Sequence, residues 1–247
     1  MASREPLDRV HLLWVLVMFE SYNANGKVQY SSRFPHPRLT LKATQTTVDA
    51  GYGSQAVGSL SKATFSYTAT NPMPAFRVSS GGFTVTATVN TGGNNWTTEV
   101  LVSAGIGATV TMYLFDTTAP VPGAAGTARM ESWDPSGNLI FALSMQPARI
   151  VGKTGSGSGN GFTGSPARRY AALMPTYHQR IAVNDTGNVG SPTRYTVNYY
   201  NTRISIDDAA GTVQSLQSNY RRFGNATNPG NSTYGSPRSI VFDVTNY

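Results

Sequence analysis

Apolar and polar residues alternate along much of the chain. Residues 64–69 set Phe65, Tyr67 and Ala69 against Thr64, Ser66 and Thr68. Residues 83–89 place Phe83, Val85, Ala87 and Val89 on one side, and residues 109–115 set Val110, Met112 and Leu114 against Thr109, Thr111 and Tyr113. Successive side chains of a strand point to opposite faces, so a period of two buries one face and wets the other. Asn71-Pro72-Met73-Pro74, Gly81-Gly82 and Gly92-Gly93-Asn94 interrupt these runs at turn spacing. Further strands are predicted over 194–200, 203–207 and 239–247. The pattern predicts an all-β chain folded as antiparallel β-sandwiches. One helix stands apart. Ser165-Pro166 reads as an N-cap followed by proline at the first helical position, Ala167-Arg168-Arg169-Tyr170-Ala171-Ala172-Leu173-Met174 favours helix, and Pro175 stops it. A short helix is therefore predicted near 166–174.

A local pattern recurs. Glu20-Ser21-Tyr22-Asn23-Ala24-Asn25-Gly26-Lys27-Val28 and Glu131-Ser132-Trp133-Asp134-Pro135-Ser136-Gly137-Asn138-Leu139 share Glu-Ser-aromatic, an Asn or Asp, and a glycine three residues later. In each, Asn23 or Asp134 caps a turn and Gly26 or Gly137 takes the left-handed position that closes a hairpin. The stretches beginning at Asn184 and at Asp208 repeat the turn half. Four regions follow. Residues 1–17 form an N-terminal extension, read either as a buried strand or short helix or as an upstream-start artefact ahead of Met18. Residues 18–151 form a β-sandwich domain, 152–166 a Gly/Ser-rich linker or loop, and 167–247 a Tyr/Arg-rich β part.

Composition narrows the function. Charged residues make up 13% of the chain, against about 25% in a typical soluble domain, while Thr (29), Ser (24) and Asn (17) replace them. The absence of cysteine excludes a disulfide scaffold, a thiol nucleophile and thiolate metal sites. The net charge is +7, with 15 Arg and 4 Lys scattered so that no basic run exceeds two residues. Nucleic-acid footprints cluster their charge, so this scatter argues against nucleic acid. Acidic polysaccharide or an acidic protein neighbour suits the charge equally. The apolar run 12–19 is far too short to span a bilayer.

Candidate chemistry is sparse. Gly152-Lys153-Thr154 is no P-loop, because Pro147 stands where the required glycine belongs. His11, His36 and His178 are isolated from other metal ligands, and no Gly-x-Ser-x-Gly elbow occurs. Asp134, Asp185 and Asp208 are explained as turn caps, which leaves few acids for a catalytic pair. No catalytic residue, cofactor or metal site is assigned, and no enzyme is expected. Residues 165–247 hold eight of the thirteen tyrosines and eight arginines, with no lysine. Tyr and Arg are enriched where proteins make contacts. The candidate contact residues are Tyr199, Tyr200, Arg203, Tyr220, Arg221 and Arg222. Alternation sets one of Tyr199 and Tyr200 in the core and the other outside.

The segment Met18-Phe19-Glu20-Ser21-Tyr22-Asn23-Ala24-Asn25-Gly26-Lys27-Val28-Gln29 resembles the opening of small structural tail proteins of long-tailed bacteriophages. The stretch from Glu131 to Phe141 and the segment Gln146-Pro147-Ala148-Arg149-Ile150-Val151-Gly152 are similar to that group as well. The resemblance covers residues 18–152. It implies a virion component of the tail tip or tail-fibre region with a β-sandwich fold, assembling with other tail proteins as a homo-oligomer or symmetric assembly, with no catalytic residues. A host-surface glycan or protein is an added partner through the Tyr/Arg-rich part. Two alternatives stay open: a capsid or decoration protein with a jelly-roll fold, and a carbohydrate-binding module or glycan depolymerase.

Overall fold

The computed structural model describes residues 20–22, 28–31, 37–56, 58–117, 131–133, 139–142, 146–155, 161–175, 179–185, 195–225, 227–234 and 238–247. Among the described residues the regular structure is strand, apart from one 3-10 turn at Gly53–Gln55. In chain order the strands are β1 (Glu20–Tyr22), β2 (Val28–Ser31), β3 (Arg38–Thr46), β4 (Val48–Asp49), β5 (Ser61–Thr68), β6 (Met73–Val78), β7 (Gly82–Gly92), β8 (Asn95–Val102), β9 (Thr109–Asp116) and β10 (Glu131–Trp133). They continue with β11 (Leu139–Ala142), β12 (Ile150–Thr154), β13 (Phe162–Thr163), β14 (Tyr170–Leu173), β15 (Gln179–Asp185), β16 (Tyr195–Asp207), β17 (Thr212–Asn225), β18 (Ser232–Tyr234) and β19 (Ser239–Asp243).

The chain forms two compact units. One is drawn from Met1–Pro35 and Ala119–Ser144, the other from His36–Thr118 and Met145–Tyr247. The first holds two hairpins, β1–β2 and β10–β11, built alike. Glu20 faces Ser31, Ser21 faces Tyr30 and Tyr22 faces Val28. Glu131 faces Ala142, Ser132 faces Phe141 and Trp133 faces Leu139. Both ladders skip one residue at the same step, after the serine. A bulge is a specific device rather than noise, so the repeated sequence pattern encodes a repeated hairpin. Asn23, Gly26, Asp134 and Gly137, and the extension 1–17, lie outside the described residues.

The second unit is the sandwich. Its six-stranded sheet runs β12-β19-β14-β6-β9-β3, and its nine-stranded sheet runs β13-β17-β16-β7-β8-β5-β4 with β15 beside β16 and β18 beside β15. Every strand pairing in both sheets is antiparallel. The alternation read from sequence supplies the core. Phe65 and Phe83 of the larger sheet meet Phe76 of the smaller, with ring centroids 5.6 and 6.2 Å apart, and Val110, Met112 and Leu114 join them. On β7 the alternation stops short. A bulge between Val85 and Ala87 breaks the register, and beyond it Val89 is exposed. Both sheets take strands from either side of residues 152–166, so that segment does not separate two domains. Gly152 lies inside β12 and Phe162 inside β13.

The helix predicted near 166–174 is a turn followed by strand β14. Ser165 does act locally as a cap, accepting from the Ala167 N–H at 3.3 Å through its hydroxyl and from the Arg168 N–H at 3.1 Å through its carbonyl. From Tyr170 onward tertiary pairing wins. β14 lies between β19 and β6 in the interior of the sheet, and Tyr170, Ala171 and Ala172 are fully buried. Eight residues make two helical turns, too few to hold against a central strand position. The Tyr170 hydroxyl locks the turn by accepting from the Ser165 N–H at 2.8 Å and donating to its carbonyl at 3.1 Å. Gly164 makes this possible, since a Cβ there would stand 2.3 Å from that hydroxyl.

The six-stranded sheet is buried on its second face too. Ala75, Tyr113, Phe115, Ala171, Phe242 and Val244 form a second apolar cluster. Phe115 stacks on Phe242 at 4.8 Å, and Tyr247 lies 5.9 Å from Phe115. Arg149 sits over the Tyr247 ring at 4.5 Å and donates to its hydroxyl at 3.2 Å.

Two outcomes follow. Tyr170→Phe strips the Ser165 amide of its partner and leaves its carbonyl with the Arg168 N–H alone, without changing the core, and is expected to cost about 1–2 kcal/mol in chemical denaturation. The second concerns Asp243, which is 1% exposed and ion-paired with Arg168. Burial alone pushes its carboxyl up, but hydrogen bonds from the Thr245 hydroxyl and N–H and from Arg168, with the charge of Arg149, hold it below the usual carboxylate range. Such a group stabilises the fold above its unfolded value of about 4 and loses that contribution as the pH falls from there through its folded value. Melting temperature should therefore drop on acidification below about pH 4, and Asp243→Asn should flatten that limb.

Candidate functional site

β16 is shared by three neighbours on the larger sheet. It pairs with β17 along its whole length, while its other edge is divided between β15 and β7. Near its middle the β16–β17 ladder slips. Tyr199 faces Arg221 and Tyr200 faces Asn219, leaving Tyr220 as the extra residue. A bulge turns consecutive side chains toward one side. Tyr220 and Arg221 both reach the same aromatic cluster, which Tyr199, Phe223 and Tyr52 complete. Tyr199 stacks on Phe223 at 5.7 Å, and Tyr220 stands edge-on to Tyr52 at 5.7 Å and to Tyr199 at 6.3 Å. The Arg221 guanidinium lies 5.2 Å from the Phe223 ring, 5.7 Å from Tyr199 and 5.8 Å from Tyr52. The chain before β5 is laid against β17 by a bridge between Ala56 and Arg221. Burial, joined by the neighbouring Tyr220 and Glu99, pushes the Tyr52 phenol up, while Arg221 opposes it.

This arrangement revises the roles expected of the six contact residues. Tyr199 and Tyr200 are both half-buried rather than one in and one out, and the extra residue of the bulge, Tyr220 on β17, lies opposite the step between them. Tyr220 is 7% exposed and belongs to the packed cluster. Arg222 is exposed and donates through Nε to Asn198 at 2.8 Å. Arg203 is half-buried and stands apart from the aromatic cluster. Its side chain lies flat over Gly82, where a Cβ would come within 2.6 Å of Arg203 Cγ. Tyr52 is a member that sequence reasoning missed, since it lies more than 140 residues from its ring partners.

A half-open cavity of about 130 Å³ lies on this side of the larger sheet, lined in part by Ser59, Thr84, Asn201, Arg203 and Tyr220. Beyond Arg203 a wider and more open depression runs past Arg77, Ser205 and Asp208. The described carboxylates are held in structural contacts. Asp116 accepts from the N–H groups of Thr70, Asn71 and Thr117 at 2.7–2.8 Å. Glu99 pairs with Lys62 at 3.3 Å. Asp208 does not cap its turn as expected. It pairs with Arg77 at 2.5 Å, and Asp207 caps instead, accepting from Ala209 and Ala210 at 3.0 and 3.1 Å.

No protein-family model matches the chain, no curated protein matches it, and no solved structure matches it. Among the described residues no helix is long and apolar enough to cross a membrane.

The cluster distinguishes the two adjacent arginines. Arg221→Ala removes a guanidinium from among three rings and is expected to lower stability by about 1 kcal/mol. Arg222→Ala leaves the Asn198 carbonyl still bonded to Asn219 at 2.9 Å and should stay within about 0.5 kcal/mol of the parent. Paired urea denaturation curves measure both.

Proposed function

We propose that the chain is a structural virion protein of a bacteriophage tail, placed at the tail tip or in the tail-fibre region, where it contributes to tail assembly and host attachment. The observation that carries this reading is the pair of hairpins in the smaller unit. Two of the stretches that resemble phage tail proteins are 111 residues apart, yet they take the same pairing and the same bulge within one compact unit. The sandwich supports a role in assembly. Its six-stranded sheet ends at β3 and β12, and both edges expose apolar side chains, Leu41 on one and Ile150 and Val151 on the other. Residues 146–148 bridge the start of β3, and where an edge with apolar residues stays open another chain can add a strand. Glu99, Asp116, Asp207, Asp208 and Asp243 serve turns and ion pairs, which suits a building block.

Immunogold labelling of purified particles with antibodies raised against the full chain tests the assignment. Label confined to the distal end of the tail, at a few copies per particle, is the expected result. Label spread over the head surface at hundreds of copies would overturn it in favour of a capsid or decoration protein.

A further inference from the structure

The hairpin formed by β7 and β8 leaves one strand edge open. β8 is paired on both sides, with β5 along its whole length and with β7 as far as the turn. β7 pairs with β16 only at Gly82 and Phe83. From Ala87 to Gly92 that side of β7 meets no strand among the described residues, and every residue there is exposed. Val89 is 53% exposed. The arm is stiff as well as open. Asn90 closes the turn, donating through Nδ2 to the Gly93 carbonyl at 2.8 Å and accepting from the Gly92 N–H at 2.9 Å. Trp96 Nε1 donates to the Ala69 carbonyl at 3.0 Å, and the Ala69 N–H donates to the Asn94 carbonyl at 2.8 Å. The backbone along this edge is therefore held in strand geometry before any partner arrives, which lowers the entropic cost of pairing.

Charge selects the occupant. Folded proteins guard open edges with lysine or proline. β3 and β12 conform, with Lys42 and Lys153 exposed on them. In a chain of net charge +7, two copies meeting at those edges would bring like charges together. β7 carries no such guard. No charged residue stands between Arg77 and Glu99, and the open stretch Ala87-Thr88-Val89-Asn90-Thr91 is rich in β-branched side chains. An uncharged edge gives no foothold to an acidic partner and no repulsion to a second copy. The stretch also matches itself. In an antiparallel pair centred on Val89, that residue faces its counterpart, Thr88 faces Asn90 and Ala87 faces Thr91.

We propose that two copies of the chain associate edge to edge through β7, antiparallel about a two-fold axis at Val89, so that the two larger sheets become one. The contact rests on the sandwich alone and not on the virion assignment, so either can fail without the other. So short a pairing buries less than a standard interface of about 1,600 Å², and the dimer is expected to be reversible. Sedimentation equilibrium of the full chain should show monomer and dimer exchanging with concentration. Val89→Lys sets two ammonium groups at the axis and should weaken the dimer tenfold or more at unchanged melting temperature, while Lys153→Ala should leave it within twofold. The chain has no cysteine, so Val89→Cys introduces its sole thiol. At the axis the two thiols face each other with Cβ atoms about 4.5–5.5 Å apart. Diamide should link them into a disulfide dimer at least tenfold faster than it links Ile106→Cys, whose side chain is 69% exposed away from β7. If Val89→Lys fails to fold, sedimentation of the unaltered chain and the two cysteine variants decide. A chain that stays monomeric to millimolar concentration, a dimer that Val89→Lys leaves intact, or equal cross-linking of the two cysteine variants would overturn the proposal.

Discussion

A sheet that is dry on both faces leaves no polar side chain inside it without a fixed partner. The six-stranded sheet is built under that constraint. Asp116 and Asp243 are each 1% exposed, and each is answered by several donors from neighbouring turns. Thr154 and Ser239 are buried together and share a hydrogen bond of 2.9 Å. These polar groups tie down the chain on either side of the sheet, at Thr70–Asn71 and at Thr245. With the inner strands of that sheet enclosed, polar chemistry open to a ligand falls to its edges and to the outer side of the nine-stranded sheet. There asparagine, arginine and tyrosine side chains of β16 and β17 meet water.

What could be read from the sequence divides along the same line. Positions where one face is core and the other solvent follow the period of two, and Phe65, Tyr67, Val110, Met112 and Leu114 are buried as the alternation requires. Positions on the doubly covered sheet do not alternate: Tyr113 and Phe115 are as buried as their neighbours, and β14 carries a helix-like composition in a central strand. Bulges account for the other departures. The slip after Val85 sends Val89 outside, and the slip at Tyr220 sets Tyr220 and Arg221 together against the same rings. A single inserted residue changes the face of everything after it, and no composition signal marks it.

The setting of the candidate contact residues was legible only in part. Arginine and tyrosine enrichment after residue 165 pointed to β16 and β17. Arg203 gained its particular setting from Gly82, and the aromatic cluster gained Tyr52, and both contributions come from more than a hundred residues away in sequence. The paired hairpins were legible because their instructions are local: a short strand, a five-residue connection and a returning strand specify themselves without reference to the rest of the chain.

The position of β19 has a consequence for how the protein is made. It is the last strand in sequence, yet it sits inside its sheet, pairing with β12 on one edge and β14 on the other. A nascent chain that has not released residues 239–243 from the ribosome has two strand edges open and the Phe115 face without its stacking partner. Such intermediates are the ones most prone to pair with the wrong chain. The six-stranded sheet therefore closes only once residues 239–243 are available, because without them β12 and β14 lack the strand that joins them.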